Sequence, residues 1–479
     1  MVRTRFAPSP TGYMHIGNLR TALYAYLYAR KNKGAFLLRI EDTDQARFVE
    51  GAVAALYSAL KLAGIAWDEG PDIGGPCAPY VQSERRAIFI EYAERLVQEN
   101  KAYHCFCSRE ELAERRAAAE ARGEAFKYDK HCLSLSQTDR RARIDRGDEY
   151  VIRFNMPLTG TASFDDVIYG RISVDCDDLD DMILIKADGL PTYNFANVVD
   201  DHLMDITAVI RGNEFLSSTP KYALLYDAFG WQKPTYIHLT TIMANAQRKL
   251  SKRYGDPTFD DLIAQGFIPE AVVNYIALLG WNPGSEREFF TLPELVEAFS
   301  LEGLCKSPAI FDAAKLTWMN AAYVRKLPAD AFDGYARPYY EQAGLASMDR
   351  ALLRRILQPR VEIFSQIPEM VDFLAGLPDY DLDLFSNKKS GVDGPLAAEV
   401  LDMTIPALAA LPDWTEDALR ELLIGMAAGR GMKNGTLLWP LRIALAGKAV
   451  TPGGAIEIAM LLGKEESLRR LRHGCAKLA

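Results

Sequence analysis

The stretch PSPTGYMHIGN, residues 8–18, leaves a chain few ways to fold around it. Residues 2–7 alternate as a strand does, and Pro8 and Pro10 stop that strand. Beyond the turn, Leu19, Leu23, Tyr26, Leu27 and Arg30 recur at helical spacing over 17–33, Gly34 ends the helix, and a second strand is expected over 36–40. Strand, turn, helix, strand is one half of a nucleotide-binding sheet. A helix N-terminus reached through small residues presents free N–H groups and the positive end of its dipole, which suits phosphate oxygens. Gly12 and Gly17 carry no side chain to hold a ligand off the backbone, and Asn18 can donate to an oxygen from the helix start. His15 can donate to a phosphoryl group as charge builds in a transition state. One histidine between glycines also reads as an ordinary loop turn.

A second feature changes that balance. Arg248, Lys249, Lys252 and Arg253 surround Leu250 and Ser251, after a strand-like 236–239 and before a Gly-Asp turn. A charge run by itself is usually a solvated face. Paired with the phosphate-type turn, it resembles the two signatures of class I aminoacyl-tRNA synthetases. The blocks FAPSPTG, LLRIEDTD, DEGP, QSER, LPTYNFANVVDDH, VIRGNEF, LLYDAFGW and KLSKR, with a helical C-terminal part, are similar to bacterial glutamyl-tRNA synthetases over essentially the whole chain. One position departs from the first signature: Asn18 stands where its name puts a second histidine.

That resemblance implies an activity and its residues. L-Glutamate would be activated by ATP with Mg2+ and then passed to the terminal adenosine of tRNA(Glu). His15, Lys249, Ser251 and Lys252 would serve catalysis, and Pro10, Gly12, His15, Gly17, Asn18 and Lys252 would bind ATP. Arg5, Ser9, Glu41, Tyr193, Asn197 and Arg211 would bind glutamate, an ammonium calling for a carboxylate and a carboxylate for an arginine fork. Whether Arg5 or Arg211 takes the side-chain carboxylate is open at this level. Asp44 and Arg360 would contact tRNA, Arg360 as an anticodon reader on a helix spanning 351–363. An enzyme that also charges tRNA(Gln) and an inactive RNA-binding paralogue are the alternatives. A glutaminyl enzyme is disfavoured by the helical C-terminus, and a short paralogue without an anticodon arm by the length.

Bulk properties agree. With 479 residues, 49% of them hydrophobic, several cores are possible. No apolar run nears the roughly 18 residues of a membrane span. Seven scattered cysteines are not a disulfide framework, so a cytoplasmic, monomeric enzyme without membrane contact is expected. The formal charge of −9 limits nonspecific RNA binding and leaves selectivity to shape and local basic stripes.

The expected fold is α/β. A Rossmann-type parallel-sheet catalytic domain over 1–82 and 186–247 is interrupted at 83–185 by an inserted α+β domain, which by resemblance grips the acceptor end. A stem-contact domain with the KLSKR loop follows at 248–328, and two all-α anticodon-binding domains at 329–408 and 409–479. Within the insertion, Cys105, Cys107 and Cys132 have the spacing of zinc ligands. Some members of the family hold zinc there, with a later histidine that is Ser134 in this chain, so Tyr128 or His131 would complete the set. Three ordinary buried cysteines are the alternative.

Overall fold

In the computed structural model every residue is described except Tyr13, Ala125, Lys252 and Arg253. The chain divides into two compact units, one of residues 1–261 and 272–312, the other of 262–271 and 313–479. The second unit thus takes in 262–271 as well as the residues from 313 on.

The first unit opens as its periodicity demands. Strand β1 (Arg3–Phe6), helix α1 (Ile16–Lys31) and strand β2 (Ala35–Leu38) follow in turn, and β1 and β2 pair in parallel with Arg3 opposite Ala35. A parallel pair needs its crossover helix, and α1 supplies it with Leu19, Leu23 and Leu27 fully buried. Helix α2 (Ala52–Leu62) comes after the loop beyond β2, and α3 (Arg86–Gln98) carries Phe89, Ala93 and Leu96 into a core shared with Phe195.

The inserted segment contributes β3 (Ala102–Cys105), α4 (Arg109–Ala121), α5 (Gln137–Asp145) and β4 (Val151–Phe154). A hairpin, β5 (Thr161–Asp166) with β6 (Gly170–Asp175), and strand β7 (Ile183–Ile185) complete it. Strands β3, β4 and β7 form an antiparallel sheet with β4 in the middle. Ser108 opens α4 through a capping box with Glu111, satisfying N–H groups that would otherwise lack partners.

The nucleotide fold resumes with α6 (Tyr193–Leu203), β8 (Ala208–Gly212), α7 (Thr219–Phe229) and β9 (Thr235–Leu239). Thr192 precedes α6, as expected of a cap, but its hydroxyl donates to Ile183 O instead of receiving a helix N–H. Strands β8 and β9 are parallel, and the order β6-β5-β9-β8 joins the hairpin of the inserted segment to them through Asp166 opposite Tyr236. The segment read as a separate insertion therefore returns two strands to the sheet it interrupts. The short strand β10 (Ile242–Met243) leads toward Arg248 and Lys249, helices α8 (Phe259–Ala264), α9 (Pro269–Ala277) and α10 (Leu292–Ala298) follow, and β11 (Ala309–Ile310) returns to pair with β10.

The second unit is helical: α11 (Ala313–Lys326), α12 (Ala329–Gln342), α13 (Arg350–Leu357), α14 (Ile367–Ala375), α15 (Gly394–Ala410), α16 (Glu416–Gly429), α17 (Asn434–Ala446) and α18 (Ala455–Leu478). Helix α13 stops at Leu357, six residues before the expected end, so Arg360 lies exposed in the turn beyond it with its Nη1 donating to Ile356 O. Arg470 of α18 is fully buried and donates to Phe373 O and Leu445 O, carbonyls in the last turns of α14 and α17. No described helix is long and apolar enough to cross a membrane.

Candidate active site

A cavity of about 610 Å³ opens in the first unit at the C-terminal ends of β1, β2 and β8 and the N-terminus of α1. This is where an open parallel sheet presents its ligand crevice. Of the residues picked from the sequence, Arg5, Ser9, His15, Gly17, Asn18, Glu41, Tyr193, Arg211 and Lys249 line it.

His15 caps α1. Its Nδ1 accepts from Gly17 N at 3.0 Å, so the ring proton sits on Nε2, which is buried with no hydrogen-bond partner among the described residues. Gly17 permits that approach, for a Cβ there would stand 3.3 Å from His15 Nδ1. Burial lowers the imidazole pKa, partly opposed by Asp256, and keeps the ring a neutral donor.

The amino-acid side of the cavity rests on a buried lattice of charge. Arg5 makes a forked pair with Asp201 at 3.0 and 3.1 Å, Arg39 binds Asp201 at 2.9 Å and Glu41 at 2.8 Å, and Arg85 binds Asp200 at 2.7 Å. Three arginines and three acids thus balance in a region closed to water. Burial raises the Glu41 pKa even though Arg39 and Arg5 act against the rise. For Asp201, burial is outweighed by Arg5 and Arg39, which hold its carboxyl below the usual range.

Arg211 is held differently. Its Nε donates to His238 Nε2 at 3.1 Å and its Nη2 to Thr219 Oγ1 at 2.8 Å, while Nη1 is buried with no partner among the described residues. The guanidinium lies over the rings of Tyr222 and Phe215, 4.9 and 5.1 Å from their centroids. Because Nε2 of His238 accepts, the proton is on Nδ1, donated to Asp166 Oδ2 at 2.7 Å. Burial lowers the His238 pKa against the pull of Asp166, so the imidazole is neutral.

The other picked residues lie elsewhere. Pro10 is buried and accepts from Val49 N at 3.0 Å, and Gly12 has φ +135°, a conformation that favours glycine, but neither lines the cavity. Asn197 is 2% exposed and turns back onto its own helix, donating to Tyr193 O and Asn194 O. Ser251 donates its N–H to Asp256 at 2.7 Å, away from the cavity lining. Asp44 is exposed and pairs with Arg47, which does line the cavity. Lys252 lies outside the described residues.

The match to known families decides what this cavity belongs to. Residues 1–318 match the catalytic domain of class I tRNA synthetases (E and Q), and 318–475 match an anticodon binding domain. The chain belongs to the class I tRNA synthetases. The synthetase is 54% identical to glutamate–tRNA ligases of Clostridium botulinum, over 100% of this chain and 98% of that one, and of Clostridium acetobutylicum, over 100% and 99%. A solved glutamate tRNA ligase of Elizabethkingia meningosepticum, in complex with its amino acid, is 35% identical over 100% of both chains with a TM-score of 0.91.

In the inserted part of the synthetase, the sulfurs of Cys105, Cys107 and Cys132 all lie within 4.8 Å of one another. The Tyr128 hydroxyl stands 3.2 Å from Cys105 Sγ and 3.4 Å from Cys107 Sγ, and Cys107 and Cys132 sulfurs are 3.6 Å apart. Hydrogen bonding from Cys132, with help from Tyr128 and Arg153 and against burial, holds the Cys105 thiol far below its usual pKa. His131 is exposed and is not part of this group, which leaves Tyr128 of the two expected candidates.

Sequence reading missed several residues of the synthetase. Arg20 lines the cavity with its Nη1 on Leu279 O and Nη2 on Thr240 O, and Arg39, Asp201, Asp166 and His238 build the support beneath it. A helical arginine at the inner spacing of α1, and acids inside the matched block NVVDDH, were the available signals.

Proposed function

We propose that the synthetase joins L-glutamate to tRNA(Glu): the glutamate α-carboxylate attacks the α-phosphorus of ATP and expels pyrophosphate, and the terminal ribose of tRNA then takes the glutamyl group from the adenylate. The observation that carries the choice of amino acid is Arg211, a buried guanidinium on the cavity wall whose Nη1 has no hydrogen-bond partner among the described residues. Arg5 is already spent on Asp201, so Arg211 takes the side-chain carboxylate and Arg5 offers its remaining Nη1 to the α-carboxylate. Glu41 receives the ammonium, and Tyr193, stacked on Phe215 at 5.2 Å, closes the pocket.

On the phosphate side, His15 Nε2, the N–H groups of the first turn of α1 and Lys249 meet charge as it develops, with Lys252 as a further cation. The chain need not offer a covalent nucleophile, because juxtaposition and charge neutralisation supply the acceleration. Magnesium enters with ATP, held chiefly by the phosphates. In the second unit, Arg360 projects from the turn after α13 as the anticodon reader, and Asp44, beside Arg47, faces the tRNA end. The enzyme works as a cytoplasmic monomer.

A zinc ion fits the cysteine group. With Zn–S bonds of about 2.3 Å, a tetrahedral site spaces its sulfurs by about 3.8 Å, close to the 3.6 Å between Cys107 and Cys132. Cys105, Cys107, Cys132 and Tyr128 would hold it, and the ion would fix the fold of the inserted segment without entering the reaction.

Charging radiolabelled glutamate onto separately transcribed tRNA(Glu) and tRNA(Gln) tests the proposal. Glutamylation of tRNA(Glu) alone is expected. Charging of both would identify the broader enzyme, and charging of neither would overturn the reading.

A further inference from the structure

The groups that hold Arg211 come from three separate parts of the chain. Asp166 ends β5 in the inserted segment, His238 lies on β9, and Thr219 opens α7. Every acceptor on Asp166 is used: Oδ1 takes the N–H groups of Ile168 and Tyr169, both at 2.9 Å, and Oδ2 takes the backbone N–H and the Nδ1–H of His238 at 3.1 and 2.7 Å. An acid so saturated cannot rotate, and it fixes both the tautomer and the plane of an imidazole that is itself fully buried. The consequence falls on Arg211: Nε2 must accept, so only one orientation of the guanidinium is satisfied, and that orientation leaves Nη1 at the cavity.

We infer that His238, oriented by Asp166, is a positioning residue for glutamate recognition. It aims Arg211 without itself neutralising the arginine's charge. A carboxylate in the place of His238 would bind Arg211 more tightly and spend that charge, as Asp201 does with Arg5. A neutral acceptor keeps the positive charge for the substrate carboxylate. The inference rests on the reading that Arg211 receives the glutamate side chain.

The test measures glutamate-dependent ATP–pyrophosphate exchange, in the presence of tRNA, for His238→Phe, His238→Gln and Arg211→Met. Loss of one charge-assisted hydrogen bond corresponds to about a 10- to 100-fold effect. His238→Phe is expected to raise KM for glutamate by about that factor with KM for ATP unchanged. The preference for glutamate over glutamine as a competing ligand should shrink in parallel, and His238→Gln, whose amide oxygen can accept in the place of Nε2, should recover much of both. His238→Asn, too short to reach Arg211, gives the same comparison should the phenylalanine variant not fold. If Arg211→Met leaves KM for glutamate unchanged, the reading of Arg211 fails. If Arg211→Met raises it but neither His238→Phe nor His238→Asn does, or if His238→Phe raises both KM values equally, the positioning role is overturned.

Discussion

His15 does two jobs with two nitrogens, and they can be separated. Nδ1 caps α1 by accepting from Gly17 N at 3.0 Å, and Nε2 is a buried donor with no partner among the described residues. Replacing the residue by alanine removes both. Loss of the cap costs about 1 kcal/mol, which in a unit of about 300 residues lowers the melting temperature by about 1.5 °C. Loss of a donor to developing phosphate charge lowers kcat by about 10²–10³, or about 3–4 kcal/mol of transition-state stabilisation. Asparagine places an oxygen where Nδ1 stood, so His15→Asn should restore the melting temperature while leaving exchange low, because its short amide cannot reach the place of Nε2. Differential scanning fluorimetry beside pyrophosphate exchange reads both. A His15→Asn enzyme that exchanges within about fivefold of the parent would refute the assignment, since a donor worth so little is outside the range for such groups.

Glu41 must be ionised to receive an ammonium, and burial raises its pKa. As pH falls, kcat/KM for glutamate is expected to decline at a pH above 4.5, and Glu41→Gln should have low activity with that acidic limb missing. Protein purified without chelator should carry one zinc per chain by mass spectrometry of metals, and Cys105→Ser should carry markedly less; a metal-free parent would sink the site. Arg470→Met strips the donor from Phe373 O and Leu445 O, at about 1–3 kcal/mol for each buried carbonyl. Urea unfolding of the second unit should show it, and a loss below about 1 kcal/mol would mean that water reaches those carbonyls.

What the sequence made legible was local. The prolines and glycines of 8–18, the helical period behind them and the alternation of the strands set out the turn that carries His15, and the resemblance of the matched blocks adds Arg5, Glu41, Tyr193, Arg211 and Lys249, all of which line one cavity. Asn197 shows the limit: its position within a matched block does not reveal that its amide folds back onto its own helix. Arg360 shows another, because the helical period runs on through 363 while the backbone leaves the helix after Leu357. The pair Asp166 and His238 could not be read at all. They are 72 residues apart, belong to no shared motif, and meet only because β5 comes to lie beside β9. The order of a mixed sheet is decided by packing across the whole unit, and period-two alternation carries no address for a strand's neighbour.

That strand placement governs how the chain can be cut. Removing 83–185 as a module would take away the β5–β6 hairpin, expose β9 as a raw edge and delete the acid under His238. It would also strip Phe89 and Leu96 from the core around Phe195. A minimal activating fragment has to keep α3 and 161–175 and lose only the stretch between them, with β7 left to find cover for its hydrophobic face. The boundary of the portable piece lies inside the insertion, not at its ends.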